Sequence, residues 1–436
     1  MSRAKYLRIS GLFLLLALAS GCGYSTRFDA HSRTACFDSL WNVLDAAYWD
    51  AETMSRLEGQ GVRRLARNRI TQSASRREYL IGVIELLARL EDPHAQCDEL
   101  KTYWLEQTGQ EIAAVFSWMY RAADAYWIAF PEPALVIERM AGAPVQPDRP
   151  YELLAVEGVP ACVAALALLE APLGHPVRVT IRDGEGCACE LTLVVPLPPP
   201  TQFILEPGRR QREAAQPALV RPNPSPIGYA RIPGFEKRSL AEAFDRDLSP
   251  LLHTDSLLLD LRGNSGGRFN VLSATLGRFL DEPRRIADLE LRIPRLLPLG
   301  PPTWRVPLAL LSFPRRPTYQ RPVVVLIDGA TGSSAEIAAF ALRELVGATL
   351  VGERTIGAGA GVALARLPDG LKIRFGSQLI RARDGSTFQG RGIMPDVAVP
   401  IDPEDLRRRG RRAFTEWRAR MYAAALEAAH GHGAAR

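Results

Sequence analysis

A chain of 436 residues is too long for one hydrophobic core, so two or three domains are expected. Its 47% apolar and 23% charged residues are the composition of a globular protein and exclude a disordered or fibrous one. The net charge of +6 is modest, and the arginines are spread with no sustained block beyond Arg407–Arg412, which argues against a nucleic-acid partner.

In chain order, Arg3, Lys5 and Arg8 precede an apolar run, Leu12–Leu18, and then Ala19-Ser20-Gly21-Cys22. This is the layout of a secretory signal over residues 1–22, too short for an ordinary membrane span. Small residues running into Cys22 resemble the bacterial lipoprotein signal, which implies an acylated Cys22 and a lipid anchor in the cell envelope, facing the periplasm or exterior. An ordinary cleaved signal, with Cys22 a plain thiol, is the alternative. Five further cysteines remain, Cys36, Cys97, Cys162, Cys187 and Cys189, an odd number that leaves at least one unpaired within the chain. Cys187-x-Cys189 has no histidine ligands nearby, so no metal is expected.

Residues 23–112 form an N-terminal helical region. Phe37, Leu40, Val43, Leu44 and Tyr48 give one apolar face, and Tyr79–Leu90 gives another. Pro93 ends the second helix and leaves His94 on a loop. From 113 to 198 the pattern changes to short strands, a helical segment Ala161–Leu169 and a tight turn near Asp183-Gly184, a small β-rich module. Residues 199–226 are a proline- and arginine-rich linker.

Residues 227–402 alternate strands and helices, the pattern of an α/β core. Ser256–Asp260 is an apolar strand leading into Leu261-Arg262-Gly263-Asn264-Ser265-Gly266-Gly267, a turn with neither the P-loop lysine nor the dinucleotide glycine spacing, so no nucleotide cofactor is expected. Val323–Ile327 is an unbroken apolar run suited to a central strand covered on both faces. Gly329 and Gly332 follow, and from Glu336 the residues Ile337, Phe340, Ala341 and Leu345 recur at helical spacing. Ser333 therefore sits where a helix leaves its first amides unpaired, a place for a nucleophile with an oxyanion site beside it. On this stretch alone, Ser333 and Glu336 read first as an S-x-x-E capping box. A strand Ala348–Gly352, the loop Ile356–Gly361, strands through Ile380 and the turn Gly390–Asp396 complete the core. Residues 403–436 form a basic amphipathic helix, expected to pack or to be solvated.

The segments IGYARIPGF, LLLDLRGNSGG, IDGATGSSAEIAAFAL, LVGERTIG and GRGIMPDV occur in the order and approximate spacing of the C-terminal processing, or tail-specific, serine peptidases. FDSLWNVLDAAYWD and LLARLEDPHAQ resemble that family's N-terminal helical region, and the β-rich module resembles its PDZ-type domain. The resemblance implies a ClpP/crotonase-like core and a serine endopeptidase that cleaves protein or peptide substrates through an acyl-enzyme. It places the nucleophile on Ser333 and the oxyanion hole on the amides of Ser334 and of Gly266 or Gly267. Many relatives use a lysine base within the motif that here reads GERTIGAG, where Ala358 stands. Lys5, Lys101, Lys237 and Lys372 are the only lysines, and none is an obvious substitute.

The tricorn-like branch takes its base instead from a histidine before the PDZ region, which implies His94. A neutral imidazole suits that exchange of a hydroxyl proton. The glutamate that orients the imidazole in that branch is Gln389 here. Glutamine accepts a hydrogen bond but does not offset imidazolium charge, so either catalysis is weakened or another acid such as Asp92 serves. The second functional class is a binding protein on a peptidase fold, with a cleft for a peptide or a hydrophobic ligand.

Overall fold

The computed structural model describes residues 29–92, 94–97, 119–122, 125–129, 136–139, 150–156, 159–160, 176–182, 188–194, 227–294, 303–382, 384–409 and 411–434. Cys22, the segment 161–169, the Asp183-Gly184 turn and the linker 199–226 lie outside them.

The N-terminal region is helical, as its periodicity predicts. Helix α1 (Ala30–Ala47) starts at Asp29, whose carboxylate accepts from the Ser32 amide at 2.7 Å, and α4 (Arg76–Ala88) is capped by Ser75. Between them run α2 (Ala51–Gly59) and α3 (Val62–Thr71). Phe37, Leu40 and Leu44 of α1 meet Leu80, Val83 and Leu87 of α4 in one buried cluster. The short strand β1 (Gln96–Cys97) follows, with Cys97 packed against this cluster.

The β-rich module forms a single antiparallel sheet. Its strands are β2 (Met119–Ala122), β3 (Ala125–Ala129), β4 (Val136–Arg139), β5 (Pro150–Val156), β6 (Val159–Pro160), β7 (Pro176–Arg182) and β8 (Ala188–Val194). They lie in the order β2-β3-β5-β7-β8-β4, with β6 paired to β5.

The core comprises β9 (Ile227–Arg231), α5 (Arg238–Leu248), β10 (Ser256–Asp260), α6 (Phe269–Leu276), β11 (Arg284–Pro294), β12 (Thr303–Ser312), β13 (Val323–Ile327), α7 (Ser334–Val346), β14 (Thr349–Gly352), β15 (Ala360–Arg366), β16 (Lys372–Arg381) and β17 (Val397–Ala398). Two helices follow, α8 (Pro403–Arg409) and α9 (Arg411–Ala434). The central sheet is parallel, in the order β17-β14-β13-β10-β9. Its inner strands β10 and β13 are buried along their whole length because both faces of the sheet are covered there. Leu257, Leu259, Val323, Val325, Ile327 and Leu350 face a cluster that includes α5, α6 and α7. Leu258, Val324, Leu326 and Val351 point the other way, onto Trp417, Met421, Ala425 and Ala429 of α9. The basic tail is thus one layer of the core.

A second core sheet is antiparallel, in the order β1-β16-β11-β12 with β15 also on β16. Its long antiparallel pair β11–β12 lies between the elements predicted individually from the sequence. Ile373 and Phe375 of β16 join the cluster of the N-terminal helices, and β1 pairs with β16 at Gln96–Arg374 and Cys97–Ile373. This pairing delivers the segment that contains Asp92 and His94 to the core. Among the described residues no helix is long and apolar enough to cross a membrane.

Candidate active site

Strand β13 ends at a turn in which the Thr331 amide donates to the Asp328 carbonyl at 2.9 Å, and Ser333 follows with φ 52° and ψ −122°. Such a backbone costs a residue other than glycine about 1–3 kcal/mol, so the surroundings must enforce it. An ordinary N-cap is extended. The expected capping box is nonetheless closed from the Glu336 side, whose carboxylate accepts from the Ser333 amide at 3.0 Å, while the Glu336 amide donates to the Ser333 carbonyl at 2.9 Å. A serine on a strained strand-to-helix turn has the geometry that presents a nucleophile at the top of an α/β sheet.

The glycine turn after β10 packs directly against Ser333. Gly266 has φ 110°, and a Cβ there would lie 2.7 Å from Ser333 Cβ and 2.9 Å from the Ser334 nitrogen. At Gly267, φ is 135° and a Cβ would lie 2.4 Å from the Phe235 carbonyl carbon. Both positions need glycine for conformation and for space. The turn is pinned to Phe235, whose amide donates to the Gly266 carbonyl at 2.7 Å and whose carbonyl accepts from Arg268 at 2.9 Å. The structure separates the two oxyanion candidates: the Gly266 amide donates to Asn264 Oδ1 at 2.9 Å, whereas those of Gly267 and Ser334 make no hydrogen bond among the described residues. The Ser334 hydroxyl donates to the Gly267 carbonyl at 2.7 Å, which ties the two turns together.

Glu336 does more than cap. It is fully buried, and its carboxylate also accepts from the Thr355 hydroxyl and from the amides of Gly357 and Ala358 at 2.8 and 2.7 Å. Burial outweighs these donors and pushes its carboxyl up to about 7. Thr355 Oγ1 in turn accepts from Ile393 at 2.7 Å, and the Gly357 carbonyl accepts from Gly390 at 2.7 Å. Glu336 therefore joins the turn of Ser333 to the loop of Ala358 and to the turn that follows Gln389.

The second group of residues sits at the beginning of the β1 segment. The Asp92 side chain is buried. Its Oδ1 accepts from the His94 amide at 3.0 Å and lies 3.5 Å from His94 Nδ1, and its Oδ2 accepts from Gly376 at 2.9 Å. Gln389 Nε2 donates to the same Asp92 Oδ1 at 3.3 Å. Gln389 thus hydrogen-bonds Asp92, and the Asp92 carboxylate faces His94 Nδ1 at ion-pair distance, with no hydrogen bond closed between them. Burial raises the Asp92 carboxyl, but contact with the His94 side chain and the amides of His94 and Gly376 outweigh it and hold the group below its ordinary value. The two groups of site residues are linked through the Ala358 loop: the Ala358 amide reaches Glu336, and a Cβ on Gly359 would lie 2.8 Å from the Gln389 nitrogen.

The sequence reading missed the wider role of Glu336, because S-x-x-E already had a local explanation. It also passed over Asp260, Arg262 and Asp328, all buried at the ends of apolar strands. A charge that closes an all-apolar run was the available signal.

The sequence model of peptidase family S41 matches residues 226–399. The carboxy-terminal-processing protease of Bartonella bacilliformis is 28% identical over 178 residues, 40% of this chain and 38% of that protein's length. The carboxyl-terminal-processing protease of Picosynechococcus sp. is 25% identical over 372 residues, 83% of this chain and 82% of the relative. Among solved structures, the photosystem II D1 C-terminal processing protease superposes with a TM-score of 0.50 at 20% identity, covering 86% of this chain and 95% of that one. Mature CPAF complexed with lactacystin gives 0.58 at 14% identity, covering 91% and 99%. Residues 226–399 thus resemble peptidase family S41, and the relatives that this chain matches are carboxyl-terminal processing proteases.

Proposed function

We propose that this chain is an exported, lipid-anchored serine endopeptidase of the branch that lacks the catalytic lysine, acting on protein or peptide substrates. The observation that carries the reading is Ser333, held at φ 52° beside the amides of Gly267 and Ser334, which make no hydrogen bond among the described residues. In this reading His94 takes the Ser333 hydroxyl proton as Oγ attacks the substrate carbonyl, and the Gly267 and Ser334 amides receive the developing oxyanion. Asp92 orients the ring through Nδ1 and balances the imidazolium charge, and Gln389 holds Asp92. His94 then returns the proton to the leaving amine, and water, activated by the same ring, releases the acyl group from Ser333. Ala358 contributes only its amide, to Glu336. The β-rich module, read as PDZ-like, gates access and does no chemistry.

The reading is tested with a fluorophosphonate probe on the full chain. The expected result is covalent labelling of Ser333 at neutral pH and hydrolysis of a peptide substrate. No labelling and no hydrolysis between pH 6 and 9, together with binding of an apolar ligand, would establish the binding-protein alternative instead.

Acylation of Cys22 gives a separate prediction. The wild type should fractionate with membranes, since several acyl chains hold firmly where one holds marginally. Cys22→Ala should move to the soluble exported fraction; unchanged partitioning would end the lipoprotein reading.

A further inference from the structure

The buried charges behind the two turns lead to the C-terminal helix. Asp328 closes strand β13, and its Oδ1 accepts from the amides of Gly263 and Ala330 at 3.0 and 3.1 Å, with Thr331 Oγ1 at 3.2 Å. Gly263 belongs to the turn that carries Gly267, and Ala330 to the turn that carries Ser333. A single carboxylate oxygen therefore spaces the proposed oxyanion donor against the proposed nucleophile. Its other oxygen faces Arg418 Nη1 of α9 at 3.6 Å. The Arg418 carbonyl accepts from Arg262 Nη1 at 2.9 Å, and Arg262 holds Asp260 at the end of β10 through Nε and Nη2 at 2.9 and 2.7 Å. Helix α9 is seated independently of these charges, by fully buried Trp417 and Met421 and by the Trp417 Nε1 bond to the Val399 carbonyl at 2.7 Å. Arg418 lies outside the segment that matches the family, residues 226–399.

We propose that Arg418 is a positioning residue: α9 supplies the charge that keeps Asp328 aimed between the turns of Ser333 and Gly267, so a helix beyond the family core helps to set the site's geometry. The inference rests on the peptidase reading for its catalytic consequence only. Burial raises the Asp328 carboxyl, and the Gly263 amide, Arg418 and the Ala330 amide oppose that rise, so removal of the cation favours uptake of a proton. One of its oxygens then becomes a donor, and the carboxyl holds two amides less firmly. Misplacement of reacting groups by a fraction of an ångström costs rate without unfolding the protein.

The test uses the full chain with Arg418→Gln, Arg418→Lys, Asp328→Asn, the Arg418→Gln/Asp328→Asn double variant, and Trp417→Phe as a packing control. Two quantities are read: hydrogen exchange at the Gly263 and Ala330 amides, and the acylation rate of Ser333 by the fluorophosphonate probe, separated into probe affinity and maximal rate. Arg418→Gln should speed exchange at both amides and lower the maximal rate about 10-fold with unchanged probe affinity. Arg418→Lys should recover most of the loss, and the double variant should be no slower than Asp328→Asn alone. Trp417→Phe should lower Tm while the rate per folded molecule stays within about twofold. Wild-type exchange and acylation in Arg418→Gln would overturn the proposal, as would a rate loss in Trp417→Phe equal to that in Arg418→Gln. If Arg418→Gln does not fold, Arg418→Lys decides, with wild-type-like exchange and rate expected and loss of both counting against the proposal. If the wild type is not acylated at all, the peptidase reading has failed, and the exchange measurement still decides whether Arg418 holds the turns.

Discussion

Ser333→Ala and His94→Ala should each reduce peptide hydrolysis by at least about 10⁴-fold, and the double variant should be scarcely slower than either, because residues that act as one unit lose function non-additively. If Ser333 were only a helix cap, its replacement would instead cost about 1 kcal/mol of stability and leave hydrolysis intact. Asp92→Asn tests the orienting acid. It keeps the side chain's shape but removes the charge opposite His94 Nδ1, and the expected loss is about 10³- to 10⁴-fold. Gln389→Glu gives the opposite of what a missing orienting glutamate would suggest. Because Gln389 Nε2 donates to Asp92 Oδ1 at 3.3 Å, a glutamate there would set two carboxylates against each other, and one would take up a proton near neutral pH. Its kcat/KM should therefore fall. Measurement of kcat/KM against pH checks all of these variants, and wild-type activity in Asp92→Asn would remove Asp92 from the mechanism.

Glu336→Gln should change both the rate and the pH dependence of stability. An amide replaces one carboxylate oxygen by an NH₂ group, which must face donors now bonded to Glu336: the Ser333 and Ala358 amides on one oxygen, or Thr355 and Gly357 on the other. Opposed donors in a buried site cost about 1–3 kcal/mol each, and displacement of the Ser333 turn should lower acylation about 100-fold. The stability term has a definite sign. The Glu336 carboxyl is raised from 4.5 to about 7, so its protonated form stabilises the fold. That contribution is complete below its unfolded value and is lost as pH rises through 7, a change of about 3 kcal/mol. Asp92 and Asp260 are both lowered, and their contributions are lost only as pH falls below the ordinary carboxylate range. The two windows do not overlap. Denaturant unfolding of wild type and Glu336→Gln between pH 5 and 8 should show the wild type losing its relative advantage as pH rises; parallel curves would mean that Glu336 does not titrate there. The ionised form that costs stability is the one that accepts all four donors.

The strand, turn and helix around Ser333 were legible in the sequence because each follows from short-range rules. A β-branched apolar run favours a covered strand, glycines permit the turn, and apolar residues at helical spacing define the buried face of α7. The N-terminal helices were legible for the same reason. The tail's amphipathic pattern showed that one face is apolar but not what covers it, since Trp417 and Met421 meet strands whose own pattern is equally satisfied by any apolar layer.

What only the tertiary structure decided are pairings between segments far apart in the chain. Which glycine amide is left for an oxyanion depends on where Asn264 Oδ1 points, and this singles out Gly267. Whether Glu336 is a cap or a hub depends on donors from Thr355, Gly357 and Ala358. The partner of Gln389 is Asp92, 297 residues away, brought there because β1 pairs with β16. Local sterics and periodicity set each segment's own backbone, and they carry no information about which buried donor meets which acceptor once the sheets are assembled. That choice follows from the fold's demand that every buried polar group find a partner, and it can be read only where the segments meet.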